Sequence, residues 1–159
     1  MSRNANRIRT TDHKNTQNKN RKYMRTIKEI IVHCSATPEG RPHTVQDIRA
    51  WHKQRGFKDI GYHYVVYLDG SIHEGRSVKL TGAHCTGHNK NSIGVCYIGG
   101  MTADMKHAKD TRTEAQKKAL RSLLKYLKQQ HPEARIFGHR DFAAKACPSF
   151  DARKEYADI

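Results

Sequence analysis

Gly138-His139-Arg140-Asp141-Phe142-Ala143-Ala144-Lys145-Ala146-Cys147-Pro148-Ser149-Phe150-Asp151 places a histidine and a cysteine eight positions apart, with a lysine two residues before the cysteine. Imidazole and thiolate are borderline-soft donors, so a turn-rich segment that offers both has the makings of half a zinc site. The same residues admit a plainer reading, a loop histidine and a small packed thiol, because free cysteine commonly behaves as a core residue. Just before this segment, Pro132 stops a helix, and Arg135-Ile136-Phe137 reads as a final short strand that carries His139 to a sheet edge.

A third donor lies far upstream. Ile30-Ile31-Val32-His33-Cys34-Ser35-Ala36-Thr37 is a β-branched run ending in a histidine and a small polar turn, the pattern of a buried strand that presents His33 at its mouth. His33, His139 and Cys147 would make three protein ligands and leave a fourth tetrahedral position open, as a hydrolytic zinc requires and a structural zinc does not. Between these ends the chain alternates strand and helix signals. Thr44-Val45-Gln46-Asp47 opens a helix that Arg55-Gly56 closes, with Val45, Ile48, Trp51 and His52 on one face, which makes His52 a packing or supporting histidine. Tyr62 to Leu68, the Asp69-Gly70 turn and Ser71 to Glu74 read as a hairpin, and Ser92 to Ile98 as another buried strand. Thr113-Glu114-Ala115-Gln116 begins the longest helix, on which Ala119, Leu120, Leu123, Leu124 and Leu127 form an apolar stripe at helical spacing. Gly82 to Asn91 is a Gly- and Asn-rich loop suited to forming one wall of a groove. The expected fold is α/β: a single domain with a central mixed β-sheet flanked by helices and the zinc site at the sheet rim.

The length of 159 residues suits one domain of ordinary size. Residues 1–23 carry seven Lys or Arg and one Asp among few apolar residues, so a disordered basic arm is expected there, with the folded domain spanning 24–159. No apolar run is long enough to cross a bilayer and the amino terminus lacks an apolar signal core, so a cytoplasmic protein without a signal peptide is expected. Cysteines at 34, 85, 96 and 147 are scattered, which argues against a disulfide framework and leaves Cys34 and Cys96 as packing residues. Thirty basic against fifteen acidic residues give a formal charge of +15, and such a surface seeks polyanions. Nucleic acid and the anionic polymers of a bacterial envelope satisfy that charge equally.

His33-Cys34-Ser35-Ala36-Thr37, Gly61-Tyr62-His63-Tyr64, Asn91-Ser92-Ile93-Gly94-Val95-Cys96 and Lys145-Ala146-Cys147-Pro148-Ser149-Phe150-Asp151 together resemble the motifs of zinc N-acetylmuramoyl-L-alanine amidases. The likeness is to the phage lysozyme-type amidases, relatives of the peptidoglycan recognition proteins, and it covers roughly residues 24–151 with the motifs in family order. It implies Zn2+ on His33, His139 and Cys147, Tyr62 and Lys145 as catalytic side chains, and His84 and Asn91 at substrate-groove positions. It further implies cleavage of the amide between the muramic acid lactyl group and L-alanine of bacterial peptidoglycan by an endolysin, and a monomer is expected. That enzyme would reach the wall after release through a membrane pore. Two other functions stay open on the same resemblance: a non-catalytic peptidoglycan-binding module, and a regulator of a phage RNA polymerase. Set against that resemblance, a shorter carboxyl end than in the phage amidases and no separate wall-binding module are expected, so that recognition would fall to the groove and the basic surface.

Overall fold

Ile30, Ile31 and Val32 have no solvent exposure and lie at the centre of strand β1 (Glu29–Cys34), as their β-branched run requires. The computed structural model describes residues 25–159, and the basic segment 1–23 falls outside the described residues. After β1 come the short β2 (Thr37–Pro38), α1 (Val45–Gln54), β3 (Tyr64–Val66), β4 (Ile72–Glu74), β5 (Ser92–Tyr97), β6 (Gly100–Met101), α2 (Glu114–Gln130), β7 (Arg135–Gly138) and α3 (Ala152–Glu155). Five strands form a mixed sheet in the order β4-β3-β5-β1-β7; only β4 runs antiparallel to its neighbour, and β2 and β6 pair separately. No described helix is long and apolar enough to cross a membrane.

Strand alternation sorts the core into two layers. Ile30 and Val32 of β1 and Ile93, Val95 and Tyr97 of β5 face α2, where Leu120, Leu123, Leu124 and Leu127 meet them. Leu120 and Leu124 are fully buried, each worth about 2 kcal/mol of transfer free energy. On the other face Val65 and Ile98 pack with Val45 and Ile48 of α1. His33 has the parity of Ile31, so it points away from α2 and into the layer beneath α1.

Both long helices begin as their sequences require. Thr44 and Asp47 cap α1 reciprocally, as do Thr113 and Gln116 at α2. Gln116 does more than cap: it is fully buried, and its Nε2 donates to the carbonyls of Val66 (3.3 Å) and Ile98 (3.0 Å) at the ends of β3 and β5. The hairpin turn forms at Asp69-Gly70, with the Asp69 carboxylate accepting from the Ser71 amide and hydroxyl and Gly70 at a φ of 83°. Strands β3 and β4 are shorter than the run from Tyr62 suggests, because Tyr62 and His63 lie ahead of the ladder, where the His63 amide donates to the Gly94 carbonyl.

His63 supplies a measurable acid sensitivity. Its Nδ1 accepts from the Gly94 amide at 3.0 Å and its Nε2–H donates to the Leu80 carbonyl at 2.8 Å, so both nitrogens are committed to the neutral ring. Burial, aided by the charges of Arg25 and Arg76, lowers its pKa from 6.5 to about 4. The unfolded chain therefore takes up this proton near pH 6.5 and the folded chain only near 4. The stability involved, about 3 kcal/mol, is fully present above pH 6.5 and is lost as the pH falls through that window. Urea unfolding from about pH 7 to about pH 4 should be flatter for His63→Gln than for the native protein by one proton's share. An unchanged slope would assign the acid sensitivity to other groups.

Candidate active site

The parallel pairing of β1 with β7 brings the first two donors together. Val32 is in register with Gly138, so the next residues, His33 and His139, emerge side by side at the carboxyl ends of neighbouring strands, their rings 4.7 Å apart. The third donor arrives by a local closure. After β7 the chain makes a single 3-10 turn, His139–Asp141, fixed by the Asp141 carboxylate accepting from the Gly138 amide at 2.8 Å. The Arg140 amide then donates to the Cys147 carbonyl at 2.7 Å, folding the intervening loop back so that Cys147 returns beside His139. Beyond Cys147 the chain is pinned by two hydroxyls, that of Tyr97 donating to the Pro148 carbonyl (2.6 Å) and that of Ser149 to the Gly100 carbonyl (2.9 Å).

His33, His139 and Cys147 each offer a donor atom, all within 4.8 Å of one another. His33 Nδ1 faces the Cys147 sulfur at 3.8 Å, and the Cys34 amide donates to that sulfur at 3.3 Å. Burial holds His33 well below the usual imidazole pKa, with His84, His139 and Lys145 adding to the effect; burial and Lys145 lower His139 as well. Both rings are thus neutral at about pH 7, the form that coordinates a metal. Hydrogen bonding with Cys34 and burial raise the Cys147 thiol, and a divalent cation would reverse that by binding the thiolate. Two neutral imidazoles and one thiol in mutual reach fit zinc in both chemistry and spacing.

A groove of about 330 Å³ opens beside this cluster, lined by His52, Arg55, Phe57, Tyr62, His84, Asn89, His139 and Lys145 among others. The Tyr62 ring lies 5.0 Å from that of His33, and burial, with the nearby thiols, raises its hydroxyl well above the usual phenol range. It therefore remains a proton donor at neutral pH. Lys145 is exposed on the groove and forms no ion pair among the described residues. Among the described residues no carboxylate lines the groove, whereas Arg55 and Lys145 do.

The other two groove positions fare differently. His84 does line the groove but is 8% exposed, and both ring nitrogens have protein partners: His33 Nε2 at 2.8 Å and the Ser92 hydroxyl at 3.1 Å. Asn91 sits at the amino-terminal end of β5, where its carbonyl accepts from the Lys28 and Glu29 amides; the amide side chain on the groove wall is Asn89. Asn89 Oδ1 accepts from the backbone of His84 and Cys85, both at 2.9 Å, and so shapes the loop that carries His84. His52 is the supporting residue its helix face suggests, its Nδ1 accepting from the Gly61 amide at 2.8 Å.

The chain belongs to the N-acetylmuramoyl-L-alanine amidase family, which it matches over residues 23–150. Among its relatives is the endolysin of Klebsiella phage KP32, 44% identical over 126 residues, which span 79% of this chain and 83% of that one. A peptidoglycan-recognition protein of Drosophila melanogaster is 31% identical over 140 residues, covering 83% of this chain and 74% of that protein. In structure the chain resembles N-acetylmuramoyl-L-alanine amidase LysC from Clostridium intestinale, with a TM-score of 0.71 at 27% identity over 86% of this chain and 87% of LysC.

Proposed function

We propose that this protein is a zinc-dependent endolysin that hydrolyses the amide joining the muramic acid lactyl group to the L-alanine of peptidoglycan. The observation that carries the reading is the convergence of His33, His139 and Cys147, of which His139 lines a groove that also presents Tyr62 and Lys145. Those three side chains would hold the ion, and zinc bound there supplies a water of lowered pKa together with Lewis-acid polarisation of the scissile carbonyl. The remaining work falls to the protein. The Lys145 ammonium, unpaired among the described residues and exposed on the groove, donates to the carbonyl oxygen as negative charge develops there. Tyr62, kept protonated by its buried setting, orients the attacking water and relays its proton, the phenol's own proton passing to the departing alanine nitrogen as the water's proton replaces it. Stem peptides carry free carboxylates, and a groove that the described residues line with Arg55 and Lys145 but no acidic side chain suits them. The wider positive charge favours residence on an anionic envelope.

Digestion of purified peptidoglycan, followed by mass spectrometry and amine labelling, tests this reading. New free L-alanine amines and peptide-free glycan strands are expected, and both should vanish on chelation and return with zinc. Tight wall binding without new amines would instead establish the non-catalytic binding module.

A further inference from the structure

We infer that His84 is a positioning residue that fixes the ring of His33 and its proton for metal binding, through a hydrogen-bonded chain running from His33 by way of His84 to Ser92. The inference rests on the reading above, in which His33 is a metal ligand, and concerns what makes it one.

The two nitrogens of His33 have different neighbours. Nδ1 faces the Cys147 sulfur at 3.8 Å, while Nε2 lies 2.8 Å from His84 Nδ1. If Nδ1 binds the metal, the ring proton must sit on Nε2, from which it donates to His84 Nδ1. His84 must then carry its own proton on Nε2, where the Ser92 hydroxyl accepts it at 3.1 Å, and that hydroxyl can donate onward to the Asn89 carbonyl at 3.5 Å. One assignment of protons satisfies every link. With His84 unable to accept at Nδ1, the His33 proton would have no partner on that side, and the tautomer that offers Nδ1 to the metal would lose its support.

The surroundings hold His84 in that orientation. A Cβ on Gly94 would lie 2.6 Å from its Cγ, and one on Gly82 would lie 2.8 Å from its Cδ2, so the imidazole occupies a slot that exists because both neighbours lack side chains. Gly94 is in turn held by His63, through its amide to the ring at 3.0 Å and its carbonyl to the His63 amide at 2.9 Å. His33 and His84 are 51 residues apart in sequence, and this arrangement of loop and strands is what makes them neighbours.

The test separates acceptor from shape. His84→Asn retains an acceptor near the Nδ1 position, whereas His84→Phe fills the slot without one. Zinc affinity, measured by competition with a chromophoric chelator, should fall about 10- to 100-fold in His84→Phe and stay within about threefold of native in His84→Asn. Equal affinities in native, Asn and Phe proteins, each shown folded by circular dichroism, would overturn the assignment. Should His84→Phe fail to fold, the native zinc-loaded protein still decides the matter. Long-range 1H–15N spectra should find His33 protonated at Nε2, and protonation at Nδ1 would refute the proposal. Failure of native protein to bind zinc would remove the broader reading and this one together. Zinc binding and amide cleavage that persist with affinity indifferent to His84 would remove this one alone.

Discussion

Cys147→Ser is expected to leave the protein folded, without zinc, and with amidase turnover reduced to background. The substitution exchanges the only thiolate among the three donors for a hydroxyl, which is a far weaker zinc ligand at neutral pH. Two histidines remain, but a pair of imidazoles cannot complete a three-ligand site. The fold should survive because the loop is closed by backbone, with the Arg140 amide donating to the residue 147 carbonyl whatever its side chain. The Tyr97 hydroxyl likewise still anchors the Pro148 carbonyl. Zinc content by elemental analysis, read beside amine release from peptidoglycan, checks the prediction. Full occupancy in the serine variant would sink the ligand assignment, and full activity without zinc would sink metal dependence.

Lys145→Ala should behave in the opposite way: zinc content native, turnover lower by about a hundredfold, a loss of roughly 2.7 kcal/mol in transition-state stabilisation. Lys145 is exposed and lines the groove without an acidic partner there, so removing it leaves no buried charge uncompensated and costs little stability. Its charge nevertheless reaches the site, since it contributes to the depressed pKa values of both His33 and His139. If the ammonium acts on the developing oxyanion, the loss falls on kcat with KM little changed. A rise in KM alone would make Lys145 a residue for holding stem carboxylates, and unchanged kinetics would place it outside the reaction.

The elements that set the fold were legible because each is a local pattern. Ile30-Ile31-Val32 reads as a buried strand, and Thr44–Asp47 and Thr113–Gln116 read as helix starts, from residues no more than a few positions apart. The three donors were legible by type and motif order. Their convergence depends on the β1–β7 register, which joins distant segments of the chain and leaves no mark on periodicity. The short turn at His139–Asp141 and the single helical turn at Ala152–Glu155 were also hidden. They arise from side-chain caps, Asp141 on the Gly138 amide and Asp151 on the Lys154 amide, within a segment that otherwise looks like loop. The partnership of His84 with His33 and the place of Asn89 on the groove wall have the same origin, since loop side chains choose partners by three-dimensional proximity.

Gln116 gives the helix layer a single permitted seat. Its Oε1 accepts from the Thr113 amide at 2.9 Å while its Nε2 reaches the carbonyls of Val66 and Ile98, so one amide joins the start of α2 to the ends of two strands. Glutamate, the commoner partner in such a cap, could serve the helix but would bring to those carbonyls a charge with no hydrogen to donate. An apolar stripe alone would let α2 settle one turn further along the sheet at modest cost, because leucines are tolerant of one another. The amide is not tolerant: displaced by a turn, it would strand both carbonyls and itself in a dry layer. Polar specificity thus turns a sliding contact into an indexed one, and the spacing between the ends of β3 and β5 is set by a residue that does not line the groove.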